Sequence, residues 1–215
     1  MKATISKESI TKALSLTGGI VEKKQTLPIL SNILIEFKDN SFKLVATDLE
    51  SELTIIGETD ACETEGTTTA SAKKLNDLCR LIPDKSNIEL NLSGDKLNIS
   101  TKNGKYSLAT LPSNEFPIFE SGESLNSITL RSQDLKTLIN STSFAMGNQD
   151  WRHYLNGLFL KLEEGVLTAV ATDAHRLALN CLDSVSDINF SGIIPRKSVN
   201  EINRFIGDDN SELTF

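Results

Sequence analysis

The sequence of 215 residues predicts an α+β fold built from two copies of one unit. The tetrapeptide V-A-T-D at 45–48 recurs at 170–173, an offset of 173 − 48 = 125 positions. At that offset apolar residues fall on apolar residues without a gap over about forty positions, as Leu30 does on Leu155. Each copy also combines stretches of strand-like alternation with two stretches of helical spacing. This grouping is typical of antiparallel sheets with helices, the α+β class.

The first copy begins with a predicted helix. Ser6 is a suitable N-cap, and the glycines at 18–19 are a stop signal. Between them the apolar positions recur three or four residues apart and give the helix one buried face: Ile10, Ala13, Leu14 and Thr17.

Antiparallel strands are predicted next. The run from Leu27 to Phe37 alternates like a largely buried strand, and Asp39-Asn40 turns the chain into a strand at 42–47. A further strand is predicted at 52–58. The polar stretch 63–69 is predicted to be turn-like.

A second helix and three strands complete the first copy. Ser71 is the predicted N-cap and Pro83 the stop of a helix with one apolar face: Leu75, Leu78, Cys79 and Ile82. The strands are predicted at 88–92, 97–101 and 106–111, with Asn103-Gly104 as a hairpin turn.

We expect two domains, 1–122 and 127–215, joined by a linker at 123–126. In the second copy 213–215 falls on 88–90, so that copy lacks the counterpart of about the last 25 residues of the first. This predicts a truncated second domain with an unpaired sheet edge and an open core, and thus a fragment of a longer chain.

The composition excludes some function classes. A net charge of -7 argues against binding nucleic acid by bulk electrostatics, so any DNA role must rest on a few placed cations. No apolar run approaches the roughly 18 to 20 residues of a membrane span, and no signal peptide is evident. Three cysteines without metal-ligand spacing suit a reducing cytoplasm, so a cytoplasmic protein without metal or cofactor is predicted.

The second helix of each copy carries a repeated pair of cations. Lys73 and Arg80 are seven positions apart and share a helical face, and Lys197 and Arg204 repeat this arrangement 197 − 73 = 124 positions on. Lys74 and Arg196 add to the two patches. Either a phosphate-contacting surface or an ordinary solvated helix face explains this pattern.

Asp173 and His175 suggest a catalytic or metal site, but the first copy has Leu49-Glu50 after its Asp48. A metal site needs at least three converging ligands, and the remaining histidine, His153, lies in another stretch. We therefore predict that Asp48 and Asp173 are turn residues, and an enzyme is the weaker hypothesis.

The second copy carries His175-Arg176-Leu177 where the first is acidic. With Leu155 and Thr172 these residues are typical of a groove for a short peptide, with apolar anchors and a polar rim. A buried pair of leucines with a surface arginine is the alternative.

The stretch 148–154 contains Trp151, Arg152, His153 and Tyr154 in a polar loop. Exposed aromatic residues with cations can stack on unpaired bases or brace a sugar-phosphate backbone. Alternatively, Trp151 pins the loop to the core.

Six stretches carry a family signature: T-L-P-I-L-S-N at 26–32, T-D-L-E at 47–50, L-P-x-x-x-F-P at 111–117, Q-D-x-R-x-Y-L-N-G at 149–157, A-T-D-x-H-R-L at 171–177 and P-R-K at 195–197. Together they resemble the bacterial DNA polymerase III beta subunit family over the whole chain. The resemblance implies a DNA clamp fold with three domains per chain, of which the third is absent here. It also implies a head-to-tail homodimer ring around duplex DNA.

The resemblance implies functions for individual residues. Those matching DNA-contacting positions are Lys24, Gln149, His153, Tyr154 and Lys197, with His153 standing where tyrosine is frequent. Those matching the pocket for the short linear motif of partners are Leu155, Thr172, His175, Arg176 and Leu177, with Ala174 standing where glycine is usual. The partners implied are the polymerase III catalytic subunit, the clamp loader and repair polymerases.

The predicted function is that of a non-enzymatic processivity factor, which encircles duplex DNA independently of its sequence and tethers a polymerase through a peptide groove. The alternative is a fragment that binds partner peptides without encircling DNA. An enzyme based on Asp173 and His175 is the third hypothesis.

Overall fold

The computed structural model describes residues 1–21, 27–119, 127–183, 186, 188–207 and 210–214. The chain divides into two compact units, unit 1 (Met1–Glu120) and unit 2 (Ser121–Phe215). The linker predicted at 123–126 lies outside the described residues. No helix in the described ranges is long and apolar enough to cross a membrane.

The described residues of unit 1 form two α-helices and two antiparallel sheets. The helices are α1 (Lys7–Thr17) and α2 (Ala72–Leu81). The strands are β1 (Lys2–Ser6), β2 (Asn32–Lys38), β3 (Ser41–Thr47), β4 (Glu52–Glu58), β5 (Ala61–Thr64), β6 (Gly66–Ser71), β7 (Asn87–Ser93), β8 (Lys96–Thr101) and β9 (Gly104–Ala109). One sheet has the order β5-β1-β7-β8-β9 and the other β4-β3-β2-β6.

Both sheets and both helices of unit 1 contribute to one apolar core. Ile5 comes from the first sheet, Ile35 from the second, and Leu14 and Leu75 from the helices, and each is at most 1% exposed. Burial of one face of each element against the others is the main stabilising contribution in such a layered unit.

Unit 2 repeats this plan. Its helices are α3 (Ser132–Thr142) and α4 (Arg196–Phe205), and its strands are β10 (Thr129–Arg131), β11 (Gly157–Glu163), β12 (Val166–Thr172), β13 (Leu177–Asp183), β14 (Phe190–Pro195) and β15 (Glu212–Thr214). One sheet has the order β13-β12-β11-β14, and β10 pairs with β15 in the other.

The strand register confirms the duplication. Thr4 of β1 faces Glu89 of β7, and Thr129 of β10 faces Thr214 of β15, so both partners are displaced by 125 positions (129 − 4 and 214 − 89). A register slip of one residue would turn every side chain to the opposite face. The predicted α+β fold with two copies of one unit is therefore confirmed, and the offset of 125 holds for individual pairs of facing residues.

Two local predictions in unit 1 are wrong. The stretch 63–69 is not a turn, because it contains the end of β5 and most of β6. The β-branched residues at 67–69 favour a strand, and the buried hydroxyl of Thr69 is satisfied by donating to the Leu111 carbonyl at 2.9 Å. The strand predicted from Leu27 begins instead at Asn32, because Pro28 opens a 3₁₀ turn at Pro28–Ser31.

Unit 2 has a cavity next to β10. The cavity has a volume of about 310 Å³ and is lined by apolar side chains that include Ile128, Leu130, Leu160 and Phe190. In unit 1 the position equivalent to Leu130, which is 7% exposed, is Ile5, which is 0% exposed and lies on β1 within the sheet of five strands.

Candidate functional site

Three chain segments of unit 2 meet at one end of its four-stranded sheet. In this antiparallel sheet β11 begins where β12 ends, and Gly157 of β11 pairs with Pro195 of β14. The loop before β11 (residues 147–156), the turn between β12 and β13 (residues 173–176) and the first turn of α4 therefore lie at this end. We call them the aromatic loop, the Thr-Asp turn and the α4 start.

The Thr-Asp turn is held by hydrogen bonds from two side chains. Thr172 donates its hydroxyl to the Arg176 carbonyl at 2.7 Å, and the same oxygen accepts from the Ala174 N–H at 3.1 Å. The Asp173 carboxylate accepts the backbone N–H groups of His175 and Arg176, each at 3.0 Å. These bonds lower the pKa of Asp173 below its usual value, chiefly through the His175 and then the Arg176 N–H.

Unit 1 contains the same turn with the same bonds. Thr47 donates to the Ser51 carbonyl at 2.9 Å, and Asp48 accepts from the Glu50 N–H at 3.0 Å and the Ser51 N–H at 2.7 Å. The prediction that Asp48 and Asp173 are turn residues is thus confirmed. Across the described residues no three His, Cys, Asp or Glu side chains are grouped so as to hold a metal.

What distinguishes the turn of unit 2 is the arginine at its end. The Arg176 Nε donates to Asp173 at 3.0 Å, and its guanidinium lies 5.6 Å from the centre of the Phe144 ring. Phe144 is 56% exposed. Phe144 was not among the predicted site residues. It falls on Gly19 of the first copy and so differs between the copies as 175–177 do, a signal by which it could have been found.

The exposed surface of the turn mixes cationic, aromatic and apolar groups. Leu177 is 64% exposed and His175 is exposed, whereas Leu155 is buried at 7%. The alternative of a buried pair of leucines is therefore wrong. Ala174 adopts a φ of 70°, a left-handed conformation in which glycine has no steric cost.

The aromatic loop is closed by its own backbone and by Asn156. Gly147 donates to the Leu155 carbonyl at 2.8 Å, while the Asn156 side chain donates to the Asp150 carbonyl at 2.7 Å and accepts from its N–H at 3.0 Å. Arg196 at the α4 start donates to the carbonyls of Met146 and Gly147 at 2.8 and 3.1 Å. Arg196, a predicted DNA contact, therefore also braces this loop.

An ion pair fixes the tip of the aromatic loop. Arg152 donates to both carboxylate oxygens of Asp150, from Nε at 3.0 Å and from Nη2 at 2.9 Å. This pair lowers the pKa of Asp150 to about 2. Trp151 between them is 83% exposed and Tyr154 is 62% exposed, so the alternative that Trp151 pins the loop to the core is wrong.

We expect the loop tip to lose its order only in strong acid. A lowered pKa means that the ion pair stabilises the loop above the usual Asp pKa of about 3.9 and is lost as the pH falls through about 2. Emission from Trp151, the single tryptophan, should report a transition near that pH. An Asp150→Asn variant should lack this transition, and circular dichroism distinguishes the transition from unfolding of the chain. A midpoint near pH 4 would contradict the assignment to the ion pair.

The cations of the second helices differ in their exposure. Lys73 and Arg80 are exposed on α2. On α4, Arg204 is exposed and pairs with Glu201 at 2.7 Å, and Lys197 is half-buried. Gln149, exposed with a φ of 56°, and the exposed His153 belong to the aromatic loop. Lys24 lies outside the described residues.

Both units match one protein family along nearly the whole chain. Residues 1–120 match the family described as DNA polymerase III beta subunit, N-terminal domain, and residues 129–215 match its central domain. The chain belongs to the DNA polymerase III beta subunit family.

Relatives in this family are similar in sequence and in structure. The beta sliding clamp of Pseudomonas aeruginosa is 39% identical over 217 residues, covering 99% of this chain and 59% of the relative. The crystal structure of the DNA polymerase III subunit beta from Pseudomonas aeruginosa has a TM-score of 0.95 at 37% identity, covering 100% of this chain and 59% of that one. Another structure from this organism, of a DnaN sliding clamp bound to griselimycin, has a TM-score of 0.94 at 37% identity and covers 58% of that chain. The chain thus spans about three fifths of these family members.

Gly157 ends the family motif Q-D-x-R-x-Y-L-N-G and fixes the approach of β11 to β14. A Cβ at this position would lie 2.6 Å from the Ile194 carbonyl and 2.6 Å from the Ile193 side chain. We expect Gly157→Ala to lower the free energy of unfolding of unit 2 by about 1–3 kcal/mol, the usual cost of overpacking. Urea unfolding followed by far-ultraviolet circular dichroism measures it. Gly192→Ala, with nothing within 4 Å, is the control, and equal stabilities of the two variants would refute the steric argument.

Proposed function

We propose that this chain acts in DNA replication as a processivity factor, a sliding clamp that tethers a DNA polymerase to duplex DNA. The observation that carries the proposal is membership of the DNA polymerase III beta subunit family along both units. The repetition of cations on α2 and α4, the equivalent helices of the two units, supports it.

The charge distribution agrees with binding by topology. A protein that surrounds DNA needs little affinity for it, so a few cations suffice and a net charge of -7 is tolerated. Weak phosphate contacts that carry no sequence information also permit sliding. The residues proposed to contact DNA are Lys24, Lys73, Arg80, Gln149, His153, Tyr154, Arg196, Lys197 and Arg204.

The Thr-Asp turn is proposed as part of a groove for a short linear motif of partner proteins. Leu177 offers apolar surface, and Arg176, fixed by Asp173 and Phe144, offers hydrogen-bond donors in a set orientation. The proposed peptide-contacting residues are Leu155, Thr172, Ala174, His175, Arg176 and Leu177, to which Phe144 is now added. The proposed partners are the polymerase III catalytic subunit, the clamp loader and repair polymerases.

No catalytic role is proposed for this chain. From sequence alone, Asp173 was a possible catalytic carboxylate. In the structure its carboxylate accepts hydrogen bonds from two backbone N–H groups and from the Arg176 side chain. The chain is proposed to act as a homodimer ring when it is part of a full-length subunit.

Retention on circular DNA tests the proposal. We expect a protein that encircles DNA to remain on a nicked circular duplex after loading and to be released when the circle is linearised. Light scattering on the same sample gives its mass and oligomeric state. Equal retention on circular and linear DNA would contradict encirclement.

A second candidate is a protein that binds partner peptides without encircling DNA. It is favoured by the difference between the units: β10 pairs only with β15 among the described strands of unit 2, whereas β1 lies in a sheet of five. A monomer of about 23.5 kDa that binds griselimycin but is not retained on circular DNA would support this candidate over the first.

A further inference from the structure

The aromatic loop presents the single tryptophan of the chain to solvent. Trp151 is 83% exposed, the most exposed of the large hydrophobic side chains in the described residues. Leaving such a large aromatic surface in water sacrifices the free energy of its burial, and tryptophan is enriched at binding interfaces relative to the rest of a protein surface.

The indole is presented in a fixed orientation. The Arg152 guanidinium lies 5.7 Å from its centroid, within cation–π range, and is itself held by both oxygens of Asp150. The loop beneath is closed by Asn156 and braced by Arg196. Arg152 covers one face of the ring, and the high exposure places the other face in solvent.

The surroundings favour a flat aromatic ligand over an apolar protein surface. Among the described residues of this loop, Asn148, Gln149 and His153 are exposed and polar, and Tyr154, 62% exposed, is a second aromatic ring with a polar hydroxyl. The loop is therefore more polar than the apolar centre of a protein–protein interface. Asp150 neutralises the Arg152 charge, so this tip does not itself attract phosphate. Arg196 is half-buried at the base of the loop, where its Nη1 donates to the Met146 and Gly147 carbonyls.

We propose that Trp151 is a stacking site for an unpaired nucleobase of single-stranded DNA. The base would lie on the open face of the indole, and Arg152 holds the opposite face. In an intact duplex each base is already stacked on both sides, so only unpaired nucleotides offer a free face. The inference deepens the proposed function, since it rests on this chain meeting DNA.

Emission from Trp151 gives a direct test on the unmodified chain. We expect a (dT)₁₆ oligonucleotide to quench it, and an abasic oligonucleotide of the same length, which keeps the phosphates, to leave it nearly unchanged. A covalently closed, relaxed circular duplex, which has neither unpaired nucleotides nor free ends, should also leave it unchanged. Equal quenching by the abasic strand or by the circular duplex would overturn the proposal, as would quenching by griselimycin but not by (dT)₁₆.

Variants test the energetic contribution by anisotropy of labelled (dT)₁₆. Trp151→Ala should weaken binding about fivefold to 150-fold, the range for loss of one base–aromatic stack, and Trp151→Phe should retain part of the affinity. Tyr106→Ala, which removes a 38% exposed tyrosine from unit 1, should bind like the parent. Unchanged binding by Trp151→Ala would refute the stacking role.

The outcomes separate this inference from the proposed function. Quenching by (dT)₁₆ without retention on circular DNA would support the stacking site and contradict encirclement. Retention on circular DNA without such quenching would contradict the stacking site alone.

Discussion

Replacing the four repeated helix cations with glutamine is expected to abolish most of the affinity of the chain for duplex DNA. The variant combines Lys73→Gln, Arg80→Gln, Lys197→Gln and Arg204→Gln. Each lost phosphate contact lowers the magnitude of the slope of log K against log salt by about 0.9, so loss of four contacts should lower it by about 3 to 4. At 0.1 M salt the affinity for duplex DNA should fall about tenfold or more. Glutamine is chosen because its helix propensity is close to that of lysine and arginine.

A matched variant isolates position from net charge. Lys38, Lys96, Lys102 and Lys105 are exposed on the strands and hairpins of unit 1, and their replacement by glutamine removes the same total charge. Anisotropy of a labelled duplex at several salt concentrations measures both variants. If the two lose affinity equally, net charge alone matters and the helix surface has no special function.

If the proposed groove takes griselimycin, the ligand of the similar Pseudomonas aeruginosa structure, Leu177→Asp is expected to weaken its binding by about 30-fold. The reason is that truncating or charging a central apolar contact of an interface costs about 2 kcal/mol. Leu177 is 64% exposed, so its replacement leaves the core of unit 2 intact. Isothermal titration calorimetry gives the affinity, and circular dichroism checks the fold.

Ile56→Asp is the control for this prediction. Ile56 is 71% exposed on β4, the edge strand of unit 1 that corresponds to β13 of unit 2. It should bind griselimycin like the parent. Equal loss in both variants, or none in Leu177→Asp, would remove the Thr-Asp turn from the proposed groove.

The duplication made the fold predictable to a degree that local patterns alone do not allow. One offset transferred the helix, hairpin and strand assignments of the first copy to the second, and the pairing of Thr129 with Thr214 agrees with it to the residue. The errors lie where a local signal competed with tertiary structure. Polar residues around Thr69 indicated a turn, but a buried hydrogen bond to the Leu111 carbonyl makes that stretch a strand.

The site was predictable only in part, since sequence gives residue type and phase but not neighbours. The function of Asp173 as a turn residue followed from comparison with Asp48. The contact of Arg176 with Phe144 joins residues 32 positions apart (176 − 144), and no periodicity reveals it. The bracing of the aromatic loop by Arg196 was hidden in the same way, because a cation at a helix start is equally suited to phosphate.

The two Thr-Asp turns have the same hydrogen bonds, so either turn should support the same set of side chains. Because Thr47 and Asp48 hold the same backbone path as Thr172 and Asp173, side chains attached to one turn should point as they do on the other. Transplanting the second set onto unit 1, as Leu49→Ala, Glu50→His, Ser51→Arg and Glu52→Leu with Gly19→Phe, would therefore write a second copy of this surface into the same molecule. In a duplicated fold of this kind, one copy of the turn can acquire binding residues while the other copy keeps the same backbone conformation without them.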